Sequence, residues 1–416
     1  MLNTMRRAGL VISLAGFAIS VNTLPALVPW FSVRFNVPAS LFGVIFLLQY
    51  ASFTICSLVV GRLHYSRKLP LTTIVVVALL ISSSCLFIIG LLPNYTYLIV
   101  VMVLIGGAGG LVESIGTTLL TSNDGSNKML YTSQFFYALG AFFAPMAVGL
   151  LLDLGISVIQ IGRLIAMFTF VIGIVVWLFV FQPWRWATRK VSLTNNHVVG
   201  NTTLEKNFNK DHSSQQEKTD HTTQKTPRIV SYAFPLLFLT MVSYVMIESA
   251  MGNWFAVYMH EALQSVLSQA SFSLSLYWVG LGISRMFYMF IVVHKHPRVI
   301  LLHMGIMLFA ILLMLIPIDT TIGLGLLFFA VWLFGFGCGP IWPLLIEYCS
   351  RIFVRPHLIM YLVGAGSIGA LTGPIVTSTL FSWIGIEKMI LLFLLYVAIM
   401  LGTALISMTV ASRHST

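Results

Sequence analysis

Charge is what this chain has least of. Of its 416 residues only 8% are charged, against 58% hydrophobic, and just 12 are acidic. A soluble globular chain carries about a quarter charged residues, so a large soluble domain is excluded. Cysteine is also sparse. Cys56, Cys85, Cys338 and Cys349 all lie in or at the ends of apolar runs without metal-ligand spacing, and they read as small core residues. His197, His212 and His221 are too scattered to form a metal site. A phosphate loop is missing too. Gly106-Gly-Ala-Gly-Gly110 and Gly335-Phe-Gly-Cys-Gly339 sit inside apolar runs with no lysine, which excludes nucleotide binding and an ATP-driven pump. No cofactor, metal or catalytic set is implied, so the chain does not read as an enzyme. The net charge of +11 does not point to nucleic acid, because the basic residues fall in loops between apolar runs, where membrane topology explains them.

Long apolar runs are what remains, and the mean hydropathy is +0.94. Continuous runs of about 20 residues predict membrane helices rather than barrel strands. The spacing predicts spans at 8–30, 41–60, 71–92, 97–120, 130–152, 161–182, 231–259, 270–293, 299–317, 322–347, 358–382 and 389–411. Arg6 and Arg7 precede the first run as in a signal peptide, but the run continues to Trp30 without a good cleavage site, so it reads as a span. The stretch from Gln182 to Arg228 is too polar to bury a core and reads as a disordered linker. The organisation expected is a six-helix half over 1–182, a cytoplasmic linker over 183–230 and a second six-helix half over 231–416. Lysine and arginine give the orientation. Arg6, Arg7, Arg62, Arg67, Lys68, Lys128, the basic linker, Lys295, Arg298, Arg351, Arg355 and Arg413 share one side; Arg34, Arg163 and Lys388 are left for the other. That bias places both termini in the cytoplasm of a multi-pass plasma-membrane protein, or an inner-membrane protein in a bacterium. The sequons at Asn94 and Asn201 fall in a very short loop and on the inner side, and neither is expected to be used.

The halves repeat. Gly140-Ala-Phe-Phe-Ala144-Pro145 in the fifth span matches Gly369-Ala-Leu-Thr-Gly373-Pro374 in the eleventh. Small residues four apart let helices approach closely, and the proline kinks the helix. Two parallel six-helix halves joined by a linker is the layout of the major facilitator superfamily, whose solute site lies near the midplane between the halves. The fold expected is therefore all-α: twelve transmembrane helices in two pseudo-symmetric halves. The loop Gly61-Arg62-Leu63-His64-Tyr65-Ser66-Arg67-Lys68 resembles the superfamily's glycine-x-leucine-x-aspartate signature, with Tyr65 in the acid's place. Its second-half counterpart is Gly282-Ile-Ser-Arg285.

The acids carry the chemistry. Glu113 and Glu248 lie well inside spans four and seven, one in each half. Gly106, Gly110, Glu113 and Thr117 recur three and four apart, as do Tyr244, Glu248 and Gly252, so each set shares a helix face. A carboxylate at this depth costs a few kcal/mol unless it finds a partner, water or a proton. Both are read as proton-coupling residues. Glu347 has Arg351 one turn on and reads as an interfacial ion pair; with Arg62 and Arg285 these two are candidate gating residues. Asn22, Gln49, Gln134, Asn253, Trp254, Trp278 and Trp342 are candidate solute contacts, and Thr23 and Tyr277 share their spans. Amides donate to and accept from hydroxyls, and aromatic faces stack on sugar rings. Two acids, many amides and no basic residue but Arg285 suit a neutral, hydroxyl-rich or weakly cationic solute.

Several patches carry a closer resemblance. Gly109-Gly-Leu-Val-Glu113, Gln134-Phe-Phe-Tyr-Ala-Leu-Gly140 with Pro145, Glu248 to Tyr258 with Trp254, and Trp278-Val-Gly280 with Arg285 resemble the fucose:proton symporter branch, which includes sodium-dependent glucose transporters. The resemblance implies a monomeric carrier that symports a sugar or similar small solute with a proton, or with sodium. It departs at the first span, where Asn22 and Thr23 stand in place of an acid, which leaves Glu248 as the better coupling candidate. The fifth-span face from Gly140 to Gly149 also resembles an antiporter signature, so proton-driven efflux of amphipathic compounds is the alternative.

Overall fold

The computed structural model describes residues 4–66, 71–121, 127–194, 228–291, 296–317, 321–353 and 356–412. Most of the linker, its histidines, Asn201, and Arg67 and Lys68 of the loop signature lie outside the described residues. The described chain is helical, with no strand. Its helices are α1 (Thr4–Phe35), α2 (Phe42–Ser66), α3 (Leu71–Ile89), α4 (Tyr95–Thr121), α5 (Asn127–Asp153), α6 (Val158–Thr194), α7 (Arg228–Glu261), α8 (Leu267–Phe290), α9 (His296–Met314), α10 (Thr321–Cys338), α11 (Ile341–Ile352), α12 (Pro356–Ile384) and α13 (Met389–Ser412). In hydrocarbon every backbone polar group must be satisfied within the segment, which is why apolar runs become helices. Hydroxyls inside them fold back onto their own helix: Ser20 donates to the Gly16 carbonyl at 3.1 Å, Thr23 to Ile19 at 2.7 Å and Thr169 to Ile165 at 3.0 Å.

Eleven stretches are long and apolar enough to cross a membrane among the described residues, α10 and α11 counting as one. Helix α8 is the twelfth crossing. Its 24 residues suffice in length, while five serines and Arg285 lower its hydropathy. The tenth span, read as one helix over 322–347, is broken at Gly339-Pro340. Proline has no N–H to give the preceding turn, and α10 ends there.

Glycines set the packing, and they do so twice. In the first half, Gly106 and Gly110 of α4 lie against the Gln49 and Phe53 carbonyls of α2. In the second half, Gly280 of α8 meets the Trp332 carbonyl of α10, and Gly335 of α10 meets that of Tyr277. The repeated motifs also act alike. Gly140 of α5 presses on the Ala15 carbonyl of α1, and Gly369 and Gly373 of α12 press on Val242 and Met246 of α7. The halves meet along α5–α8 and α2–α12. Ala138 faces Gly282 on one seam, and Gly43 faces Ser378 on the other.

Candidate functional site

Between the halves lies a cavity of about 390 Å³. One end of it is shut by an aromatic plug. Trp254 of α7 is fully buried, and its ring stands edge-on to Phe46 of α2 at 5.4 Å and Phe381 of α12 at 5.0 Å. Helix α12 helps hold it, because the Trp254 Nε1–H donates to the Pro374 carbonyl at 2.9 Å. From there the lining runs through Thr54, Ser57, Thr118 and Val363 toward the opposite end, which holds both chain ends after twelve crossings. Thr118 and Val363 are exposed there.

Arg285 occupies the wall of this cavity and is almost wholly buried. Its Nη2 pairs with Glu248 Oε1 at 3.1 Å, Nε donates to the Gly339 carbonyl at 3.1 Å, and Nη1 donates to the Gln134 carbonyl at 3.3 Å. Local sequence explains the second bond. A helical carbonyl takes its hydrogen bond from the residue four on, which for Gly339 is Pro343, and proline has no N–H. The break between α10 and α11 therefore leaves an acceptor free for the guanidinium. Two tyrosines stand beside Glu248: Tyr277 of α8 donates to its backbone carbonyl at 3.3 Å, and Tyr244, one turn earlier on α7, donates to the Cys338 carbonyl at 3.0 Å.

Glu113 faces the same space from α4 and remains part exposed to it. The Gln134 side chain is in hydrogen-bonding reach of its carboxylate, and Arg285 acts on it through space. Glu113 thus sits near Arg285 without being its bonded partner.

The sequence-selected residues sort by position. Asn22, Gln49, Gln134, Asn253, Trp278 and Trp342 line the cavity with Glu113, Glu248 and Arg285. Trp254 does not line it; its ring fills the plug beyond. Glu347 and Arg351 are also remote: Arg351 Nη2 meets Glu347 Oε1 at 2.8 Å, and His296 Nε2 meets Oε2 at 3.1 Å. The Arg62 side chain lies outside the described residues. Sequence reading missed Tyr50 and Tyr137. Asn253 Nδ2 donates to the Tyr50 hydroxyl at 3.2 Å, joining α7 to α2. Phe53, Phe17, Tyr137 and Trp278 follow one another along the wall with ring separations of 5.9, 5.7 and 6.1 Å. Tyr137 is three residues after Gln134 and Tyr50 directly follows Gln49, and the first of these spacings was a usable signal.

No family model and no curated protein sequence matches the chain. Solved structures do. A mutant of the nucleoside transporter NupG superposes with a TM-score of 0.65 at 13% identity, covering 98% of this chain and 100% of that one. The human organic anion transporter MFSD10 gives 0.59 at 15% identity, covering 97% and 98%. This is the major facilitator fold. At such identities the likeness carries the fold and nothing finer. In the facilitator fold α1–α6 make one half and α7–α13 the other, so Glu113 belongs to the first and Glu248 to the second. The bond from Arg285 to Gln134 then ties the halves across the cavity wall.

Proposed function

We propose that this protein is a secondary active transporter that symports a small neutral solute, a sugar or a sugar-like compound, with a proton by alternating access. The observation that carries this reading is one cavity, plugged at one end, faced by a carboxylate from each half with a single arginine beside them. An acid in a poorly hydrated cavity can hold a proton in one access state and release it in the other. In the facilitator fold, rocking of the halves changes which side water reaches. The lysine and arginine bias assigns the termini, and hence the open end, to the cytoplasm, so the conformation described is inward-open. The amides of Asn22, Gln49, Gln134 and Asn253 suit hydroxyls, and the aromatic wall suits the flat face of a ring. Nucleosides belong in the panel on the same chemistry, and NupG is a nucleoside transporter. The aromatic wall also favours a second reading, efflux of amphipathic compounds, in which the same acids exchange protons for the solute.

Dye-loaded vesicles test both. Hexoses, pentoses, nucleosides and lipophilic cations are added singly to wild-type protein, Glu113→Gln and Glu248→Gln. Inward proton movement with one neutral solute, abolished in either variant, is the expected result. A signal from lipophilic cations alone sinks the symport reading in favour of efflux. A signal that needs sodium replaces the coupling ion, and flux unchanged in both variants removes the carboxylates from coupling.

A further inference from the structure

Two buried polar atoms in the cavity wall have no partner in the protein. Gln49 of α2 is 2% exposed and its Oε1 accepts no hydrogen bond; Trp278 of α8 is 5% exposed and its Nε1–H donates none. Both residues line the cavity, one from each half. Leaving such an atom unpaired costs about 1–3 kcal/mol, and the indole N–H can only donate. Neither atom has appreciable accessible surface in this conformation, so each is matched only where its cavity-lining side chain turns to meet water or a solute, and a solute that displaces water without replacing its bonds binds poorly. Neighbouring polar groups are already engaged. Asn22 Nδ2 donates to Ala18 at 2.9 Å and Asn253 Nδ2 to Ser249 at 2.7 Å, while all three nitrogens of Arg285 are bonded.

We infer that Gln49 and Trp278 are the recognition pair of this cavity: Gln49 Oε1 accepts a hydrogen bond from the solute, Trp278 Nε1–H donates one to it, and the solute is uncharged. The solute must present a donor and an acceptor together, as neighbouring hydroxyls do, or the edge of a nucleoside base. Anions are excluded by the same geometry. Arg285 is committed to Glu248 and to two carbonyls, so an entering carboxylate or phosphate finds no free cation there and meets Glu113, whose carboxylate has no bonded cation. This inference rests on the proposed function only in placing the solute in this cavity; it does not depend on the coupling ion.

Equilibrium dialysis of the purified full chain against labelled probes tests it. The probes are matched pairs: glucose with glucuronate, and uridine with uridine monophosphate. At least one neutral probe is expected to bind, with its acid partner at least ~10-fold weaker. Gln49→Leu and Trp278→Phe are each expected to weaken that neutral probe about 10-fold or more, at an unchanged cooperative melt. If Trp278→Phe does not fold, Gln49→Leu carries the test, since its packing on Gly106 is through the backbone. An acid that binds as tightly as its neutral partner, no binding by either neutral probe, or neutral binding unchanged in the folded variants overturns the inference. The outcomes separate from those of the flux assay. Neutral binding lost in both variants, without proton movement, keeps the recognition pair and removes symport. Proton movement driven by an acid probe does the reverse.

Discussion

Glu113 and Glu248 look equivalent as residues, since each is an isolated acid in an apolar helix, but the structure gives them different neighbours. Glu248 is bonded to Arg285, and Glu113 is not. Replacing Glu248 by Gln leaves the guanidinium buried beside a neutral amide. Breaking a buried pair from one side costs about 3–5 kcal/mol, so Glu248→Gln is expected to lower the melting temperature in detergent clearly. Glu113→Gln removes a charge with no bonded cation and is expected to leave the melt within a few degrees of wild type. Equal losses in the two variants would refute the asymmetry. The rarity of acids made both residues legible in the sequence. Their division of labour was not legible, because it depends on the Gly339 carbonyl left free by Pro343, a fact of three-dimensional placement. Tyr50 and Tyr137 were missed for another reason. An aromatic in an apolar span usually packs; spacing from the already suspected Gln134 singles out Tyr137, and no such spacing singles out Tyr50.

At the scale of helices, the small-residue motifs around Gly110, Gly140 and Gly369 were read as close-approach faces, Gly335 was not, and the sequence could not say which helix each would meet. Gly110 meets α2, Gly335 meets α8, and in both cases backbone carbonyl stands where a side chain would go. Gly402 of α13 has nothing within 4 Å of an added methyl group. Gly110→Ala and Gly335→Ala are therefore expected to lose about 1–3 kcal/mol each, by forcing helices apart. Gly402→Ala is expected to be neutral or to gain about 0.5–1 kcal/mol by restricting the unfolded chain. Thermal unfolding of the three variants side by side checks the order, and a stable Gly335→Ala would show that α8 and α10 can separate freely. The spans themselves were legible to within a few residues, because apolar length is imposed by the bilayer. The exceptions are α6, whose helix runs on to Thr194 into the stretch read as a disordered linker, and the break at Gly339-Pro340. The glycine and proline were visible, but the apolar run continues across them, and hydropathy does not register a turn that is buried.

For the molecule as a whole, the proposed function depends on which end of the cavity is shut, and the aromatic plug stands at one end. Trp254 and Phe381 belong to the second half, so Phe46 is the aromatic contact that must part when this end opens. Losing one such contact and its buried area is worth about 1–3 kcal/mol, which shifts an access equilibrium roughly 5- to 150-fold. Trp254→Ala is therefore expected to raise the population open at the plug end while the Glu248–Arg285 pair below it stays formed. A cysteine at Thr54, in a background with Cys56, Cys85, Cys338 and Cys349 replaced by alanine, reports this. With the plug intact it should react with a membrane-impermeant thiol reagent mainly from the side of the termini. With Trp254→Ala it should also react from the opposite side, at least about five times faster than before. On the proposed transport function the same variant should bind solute yet transport it poorly, because a carrier that leaks open at one end no longer links solute release to the change of side. Labelling from the plug side that does not accelerate would place the seal elsewhere along the α2–α12 seam, where Gly43 meets Ser378.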